Sequence, residues 1–311
     1  MKMTFIRPAP LASNATIGVV SVAAPEPVSN SSFFNRGVEV IKATGHEIVL
    51  GEHTCSQSGY RSGSARDLAS DIHALFDNPD IGAVICAGGG INANRLAPLL
   101  DFDLIAHNPK PFVGVSNPTI LLNAVTARTG LITFHGPSVI WDFGNEDGIP
   151  KYTANHFWQL LSCTSDTYTV PKSTQWSWLR PGDLSGRLLG GNLTSIQGLL
   201  GTPSEPDWTG AVLFWEDITK PVNRLDMMLT HLRDAGVLDR ISGMVVGQLV
   251  ACDPSDGVDY PAMLLDLLAE YDFPILTNVP FGHTANKVTI PIGAHLLTAP
   301  GQGLTFDLTE R

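Results

Sequence analysis

Along the first half of the chain, short apolar runs alternate with amphipathic stretches, the arrangement that builds a parallel sheet covered by helices. Ile17 to Val22 reads as a first strand, residues 31–44 as a helix closed by Gly45, and Glu47 to Leu50 as a second strand. Residues 64–78 predict a helix because Leu68, Ile72 and Leu75 share one face. Ile81 to Ala87 follows as a buried strand, and after Gly88, Gly89 and Gly90 come a helix-like 94–100 and a strand over 111–115.

From about residue 157 to 182 the periodicity weakens and Ser, Thr and Pro accumulate, as in SCTSDTYTVPKSTQWSWLRPG. Beyond it, 211–215 and 243–250 read as strands, 224–235 as a helix, and the tail as short strands and turns. A chain of 311 residues exceeds the usual size of one hydrophobic core. The expected division is an N-terminal α/β domain over 1–160, a linker over 161–182 and a C-terminal domain over 183–311.

Composition narrows the function classes. Hydrophobic residues make up 43% and charged residues 16%, which is globular and too apolar for a disordered chain. A net charge of −11 argues against a nucleic-acid partner held through many phosphate contacts. Cys55, Cys86, Cys163 and Cys252 form no CxxC pair and no zinc-type spacing, so a reducing compartment is expected. The opening residues do not read as a secretory leader, and no run of about 18 apolar residues reads as a membrane span. A cytoplasmic location and no membrane partner are therefore expected.

Candidate chemistry begins at PFVGVSNPTILLNAV. A buried strand runs into Ser116, and Pro118 stands where a helix should open, with Asn117 suited to cap it. Ser116 thus sits at a sharp strand-to-helix turn at the C-terminal end of a sheet strand, where open α/β sheets bind ligands. That is the form of a nucleophile elbow, with the next backbone N–H facing a developing oxyanion. The same local pattern also suits a plain turn serine, because the second glycine of GxSxG is missing. The glycine run 88–90 lets backbone amides approach a ligand closely, or simply makes a tight turn. GGGINAN matches neither common phosphate-binding pattern.

Read together, CAGGGINANRLAPLLDFDLI, PKPFVGVSNPTILLNAV, GLITFHGPSV, GRLLGGNLTSIQGLLGTP, VLFWEDITKPVNRLDMMLTHLRDAG and PFGHTANKVTIPIG resemble the LD-carboxypeptidase family, which includes the microcin C immunity peptidases. These blocks span about residues 71–293. The resemblance implies a flavodoxin- or Rossmann-like parallel sheet followed by a mixed α/β domain of swivelling type. It implies a triad of Ser116, Glu216 and His283, with oxyanion donors at Gly89, Gly90 and Asn117. Many members carry Asp where this chain has Asn117, which leaves the backbone amide in place and removes a carboxylate. No metal or organic cofactor is implied, and a homodimer is expected by resemblance.

The residue types suit the chemistry, because a serine hydroxyl needs a base near neutrality and imidazole supplies one. A buried carboxylate would fix the imidazole tautomer. Without the resemblance His283 is one of nine histidines, and His135, after an apolar strand, competes with it. Asp217, beside Glu216, points to the opposite strand face and reads as a cap or a surface turn. Lys287 and Arg224 can attract a substrate carboxylate or serve as solvated charge, and Trp176, Trp178 and Trp215 can stack on a base or fill a core. Asn92, in the GGxNxN run, leans the resemblance toward the immunity branch and an aminoacyl- or peptidyl-nucleotide amide. The alternatives are the LD bond before the D-alanine of a murein tetrapeptide, and an idle ligand-binding homologue.

Overall fold

The computed structural model describes residues 4–309. The first half contributes β1 (Thr16–Val20), β2 (Glu47–Leu50), β3 (Ile81–Cys86), β4 (Phe112–Gly114) and β5 (Thr133–His135). The second contributes β6 (Thr167–Val170), β7 (Ser177–Arg180), β8 (Leu184–Asn192), β9 (Ala211–Glu216), β10 (Gly243–Gly247), β11 (Ile275–Val279), β12 (Ile290–Ile292), β13 (His295–Thr298) and β14 (Leu304–Asp307).

Six strands form a first sheet in the order β12-β5-β4-β3-β1-β2, with β1 to β5 parallel. The order 2-1-3-4-5 is the doubly wound, flavodoxin-like one. Its helices are amphipathic for the expected reason: Ala65–Asp77 buries Leu68, Ile72, Leu75 and Phe76, and Ser64 and Asp67 close a capping box at its start. Each such buried aliphatic side chain contributes roughly 1.5–3 kcal/mol. The helix-like stretch 94–100 forms two 3-10 turns instead, one of them containing Pro98.

The second sheet is mixed, in the order β6-β14-β13-β8-β9-β10-β11-β7, with β8 to β11 parallel. Residues 161–182, expected to link the halves, carry β6 and β7, the two edge strands of this sheet. Helix Lys151–Leu161 crosses the expected boundary at 160.

Two features join the halves. Strand β12, far along the chain, pairs antiparallel with β5 and completes the first sheet before β13 re-enters the second. Helix Thr119–Thr129 buries every residue from Thr119 to Thr126. Its polar groups are satisfied by the second sheet: Asn123 donates to Gly190 O at 2.7 Å and accepts from Gly190 N at 3.2 Å, and Thr119 Oγ1 accepts from Asn192 N at 3.1 Å. The helix that follows Ser116 is therefore hydrogen-bonded to β8, the neighbour of β9 and Glu216. Among the described residues no helix is long and apolar enough to cross a membrane.

Candidate active site

Ser116 has φ +67°, in the left-handed region that a non-glycine residue occupies only when its surroundings impose it. The turn is tight enough that a Cβ on Gly114 would lie 2.6 Å from Pro118 Cβ. The helix opens at Thr119, one residue later than expected, and Asn117 does not cap it. Asn117 Oδ1 instead accepts from Ala93 N at 2.7 Å, tying the loop after β3 to the serine turn. A Cβ on Gly89 would meet Ser116 Cβ at 3.0 Å and Oγ at 3.1 Å, so the glycine backbone lies against the serine.

Across the cavity, Glu216 ends β9 fully buried, and its Oε2 accepts from His283 Nδ1 at 2.6 Å. That bond leaves Nε2 of His283 as the basic nitrogen. Gly282 makes the approach possible: its φ is +87°, and a Cβ there would fall 2.2 Å from Glu216 Cγ and 2.5 Å from Oε2. Burial pushes the Glu216 carboxyl up, but the His283 hydrogen bond and charge, the His135 charge and the Asn192 side chain outweigh it and hold it below its ordinary value. His135 lies behind, fully buried, with Nε2 3.8 Å from Glu216 Oε1. Burial lowers its pKa to about 4, so near neutrality it is uncharged. Asp217 accepts from Thr194 N and Oγ1, in the short helix Leu193–Ile196 that Asn192 caps, and from Ile218 N.

Ser116, His283, Gly89 and Gly90 all border one cavity of about 440 Å³. Several expected binding residues stand elsewhere. Trp215 is completely buried in the β9 core, and Trp178, half-buried on the edge strand β7, does not border the cavity. Asn92 lines a separate shallow depression with Arg61 and Arg95. Lys287 does border the cavity, yet it is buried and ion-paired to Asp142, so it offers no free cation to a substrate carboxylate. Arg224 is exposed outside it. The Gly89 N–H is engaged by Glu26 Oε2 at 2.8 Å and is not free for an oxyanion. Among the described residues the N–H groups of Gly90 and Asn117 have no backbone acceptor.

Glu26, Trp141 and Asp142 border the cavity and were not singled out by the motif reading. Glu26 follows β1 and is placed by the rule that doubly wound sheets bind ligands at the C-terminal strand ends. Trp141 and Asp142 sit in a single π-helical turn, Val139–Phe143, a widened geometry common at functional sites. Trp141 is 46% exposed.

A doubly wound sheet presenting a strained serine, facing a carboxylate-bound imidazole delivered by a second sheet, defines a two-part hydrolase. Residues 17–136 match the LD-carboxypeptidase N-terminal domain and residues 185–297 its C-terminal domain, so the chain belongs to the LD-carboxypeptidase family and is a serine-type hydrolase. It is 34% identical to the microcin C7 self-immunity protein MccF of Escherichia coli, over 93% of this chain and 91% of that one. The probable murein peptide carboxypeptidase of Bacillus subtilis (strain 168) is also 34% identical, over 93% and 90%. A solved structure of MccF in complex with aspartyl sulfamoyl adenosine superimposes with a TM-score of 0.92 at 30% identity, covering 97% of this chain and 98% of that one.

Proposed function

We propose that the chain hydrolyses the amide joining an aminoacyl or peptidyl group to a nucleotide-like moiety, through Ser116, His283 and Glu216. The observation that carries this reading is the 2.6 Å His283–Glu216 hydrogen bond on the same cavity as the left-handed Ser116. Nε2 of His283 takes the proton from Ser116 Oγ as the oxygen bonds to the acyl carbon. The Gly90 and Asn117 N–H groups receive the oxyanion. His283 then returns the proton to the departing nitrogen, leaving an acyl-serine. Water, deprotonated by the same imidazole, releases the acid and restores the serine. Trp141 supports the nucleotide reading by offering the aromatic face that the tryptophans at 178 and 215 do not. As part of this reading, the working unit is a cytoplasmic homodimer acting on a small substrate.

The murein tetrapeptide remains the second reading, favoured by the probable murein peptide carboxypeptidase at equal identity. The deciding assay offers wild type both aspartyl sulfamoyl adenosine and a murein tetrapeptide. Aspartate and sulfamoyl adenosine are the expected products, and Ser116→Ala should lose about 10⁴-fold or more in kcat while keeping its fold. Release of D-alanine with the nucleotide conjugate untouched would replace the first reading by the second. Undiminished activity in the serine variant would remove both.

A further inference from the structure

His283 stands in the connection between β11 and β12, where residues 280–289 form no helix or strand. β11 belongs to the second sheet and β12 to the first, so this segment crosses from one half to the other carrying the imidazole. Glu216 Oε2 orients the ring, and Thr284 Oγ1 donates to Gln248 Oε1 at 2.7 Å, but both of those partners lie in the second half. Ser116 lies in the first. The placing of the ring against the nucleophile therefore has to come from contacts that the loop makes with the first half.

Thr153 supplies such a contact. It is fully buried in the helix Lys151–Leu161, which packs on the first half through the ring pairs His46–Trp158 and Phe143–Phe157. Its Oγ1 donates to Ala285 O at 2.8 Å and accepts from Lys287 N at 2.9 Å, so one hydroxyl staples the loop backbone across Asn286. The staple needs a group that both gives and takes a hydrogen bond at a single atom, which a hydroxyl does. Ala285 and Asn286 are themselves exposed, and Ala285 is two residues from His283. The Lys287 side chain adds a second tie through its ion pair with Asp142, whose Oδ2 accepts from Ser138 N at 2.7 Å. The π-helical turn that holds Asp142 is bonded to the end of β3, with Ile140 N donating to Ala87 O at 3.0 Å, next to the glycine run that lies against Ser116.

We propose that Thr153 is a positioning residue for the hydrolysis, setting His283 against Ser116 by holding the histidine loop to the half that carries the serine. The inference rests on the Ser116, His283 and Glu216 reading above.

The test measures kcat, KM and melting temperature for wild type, Thr153→Val, Thr153→Ser and Ile72→Val. The substrate is whichever of aspartyl sulfamoyl adenosine and the murein tetrapeptide wild type cleaves. Valine keeps the shape of threonine and removes both hydrogen bonds, whereas serine keeps both. Ile72→Val thins the core under the helix Ala65–Asp77 and touches none of these contacts. Thr153→Val should lower kcat by about tenfold or more, the order expected when a reacting group is misplaced by less than about 1 Å. KM should stay near the wild-type value, because Thr153 does not border the cavity. Thr153→Ser should restore most of the loss, and Ile72→Val should melt lower with kcat unchanged. Wild-type kcat in Thr153→Val, a loss carried by KM alone, no recovery in Thr153→Ser, or an equal loss of kcat in Ile72→Val each overturns the proposal and leaves the triad reading intact. A wild type that cleaves neither amide is a different failure, which removes the hydrolase reading and this proposal with it.

Discussion

At the residue scale, the buried imidazole behind the carboxylate sets a pH limit on stability. His135 has a pKa of about 4 in the folded chain, below its ordinary 6.5, because burial disfavours the charged ring. Between those two values the unfolded chain holds a proton that the folded chain does not, so stability is full above pH 6.5 and is lost as pH falls toward 4. The expected loss is about 2 kcal/mol between pH 7 and pH 5. Urea midpoints at the two pH values would measure it. His135→Phe, whose ring fills the space between Phe214 and Phe281 without titrating, should show a flatter profile. An equal slope in both proteins would show that the pH dependence comes from other groups.

At the scale of the element, function depends on turns more than on strands. Gly282→Ala would place a methyl group inside the Glu216 carboxylate, forcing the pair apart. Substitution there should reduce kcat by about 10²-fold or more through a displaced imidazole, with little change in circular dichroism. Activity near wild type would show that the loop relaxes freely. These same turns mark the limit of what sequence makes legible. Strands such as 47–50 and 81–86 were readable from apolar runs, and the serine turn from the proline and glycine around it. Strand β8, LSGRLLGGN, was not, because its glycines and arginine break the alternation and its pairing with β9 and β13 decides its state. The family resemblance offered Gly89 as an oxyanion donor, but the sequence held no sign that Glu26, 63 positions away, takes that N–H. Trp215 was equally ambiguous, since an indole serves a core and a cleft alike and only the packing around β9 chooses.

On the scale of the whole molecule, the halves are interlocked by β12 and by the polar bonds between the Ser116 helix and β8. Asn123→Leu would leave both the N–H and the carbonyl of Gly190 without their partner in a buried seam, at a cost of about 2–4 kcal/mol. Heat or urea should unfold wild type in one transition seen alike by far-ultraviolet dichroism and by tryptophan fluorescence, and the variant should melt several degrees lower. Two resolved transitions in wild type would show that the halves are independent. The strand that locks the sheets also has a consequence for the birth of the chain on the ribosome. The edge of β5 is sealed only by β12, and Ile290 lies 155 positions after His135. At about 5–20 residues per second, that edge waits roughly 8–30 s for its partner to be made. An unpaired strand edge invites pairing with a neighbouring chain. The nascent enzyme therefore leaves this strand edge open for about half of its own translation, and crowded polysomes are where that exposure would cost yield.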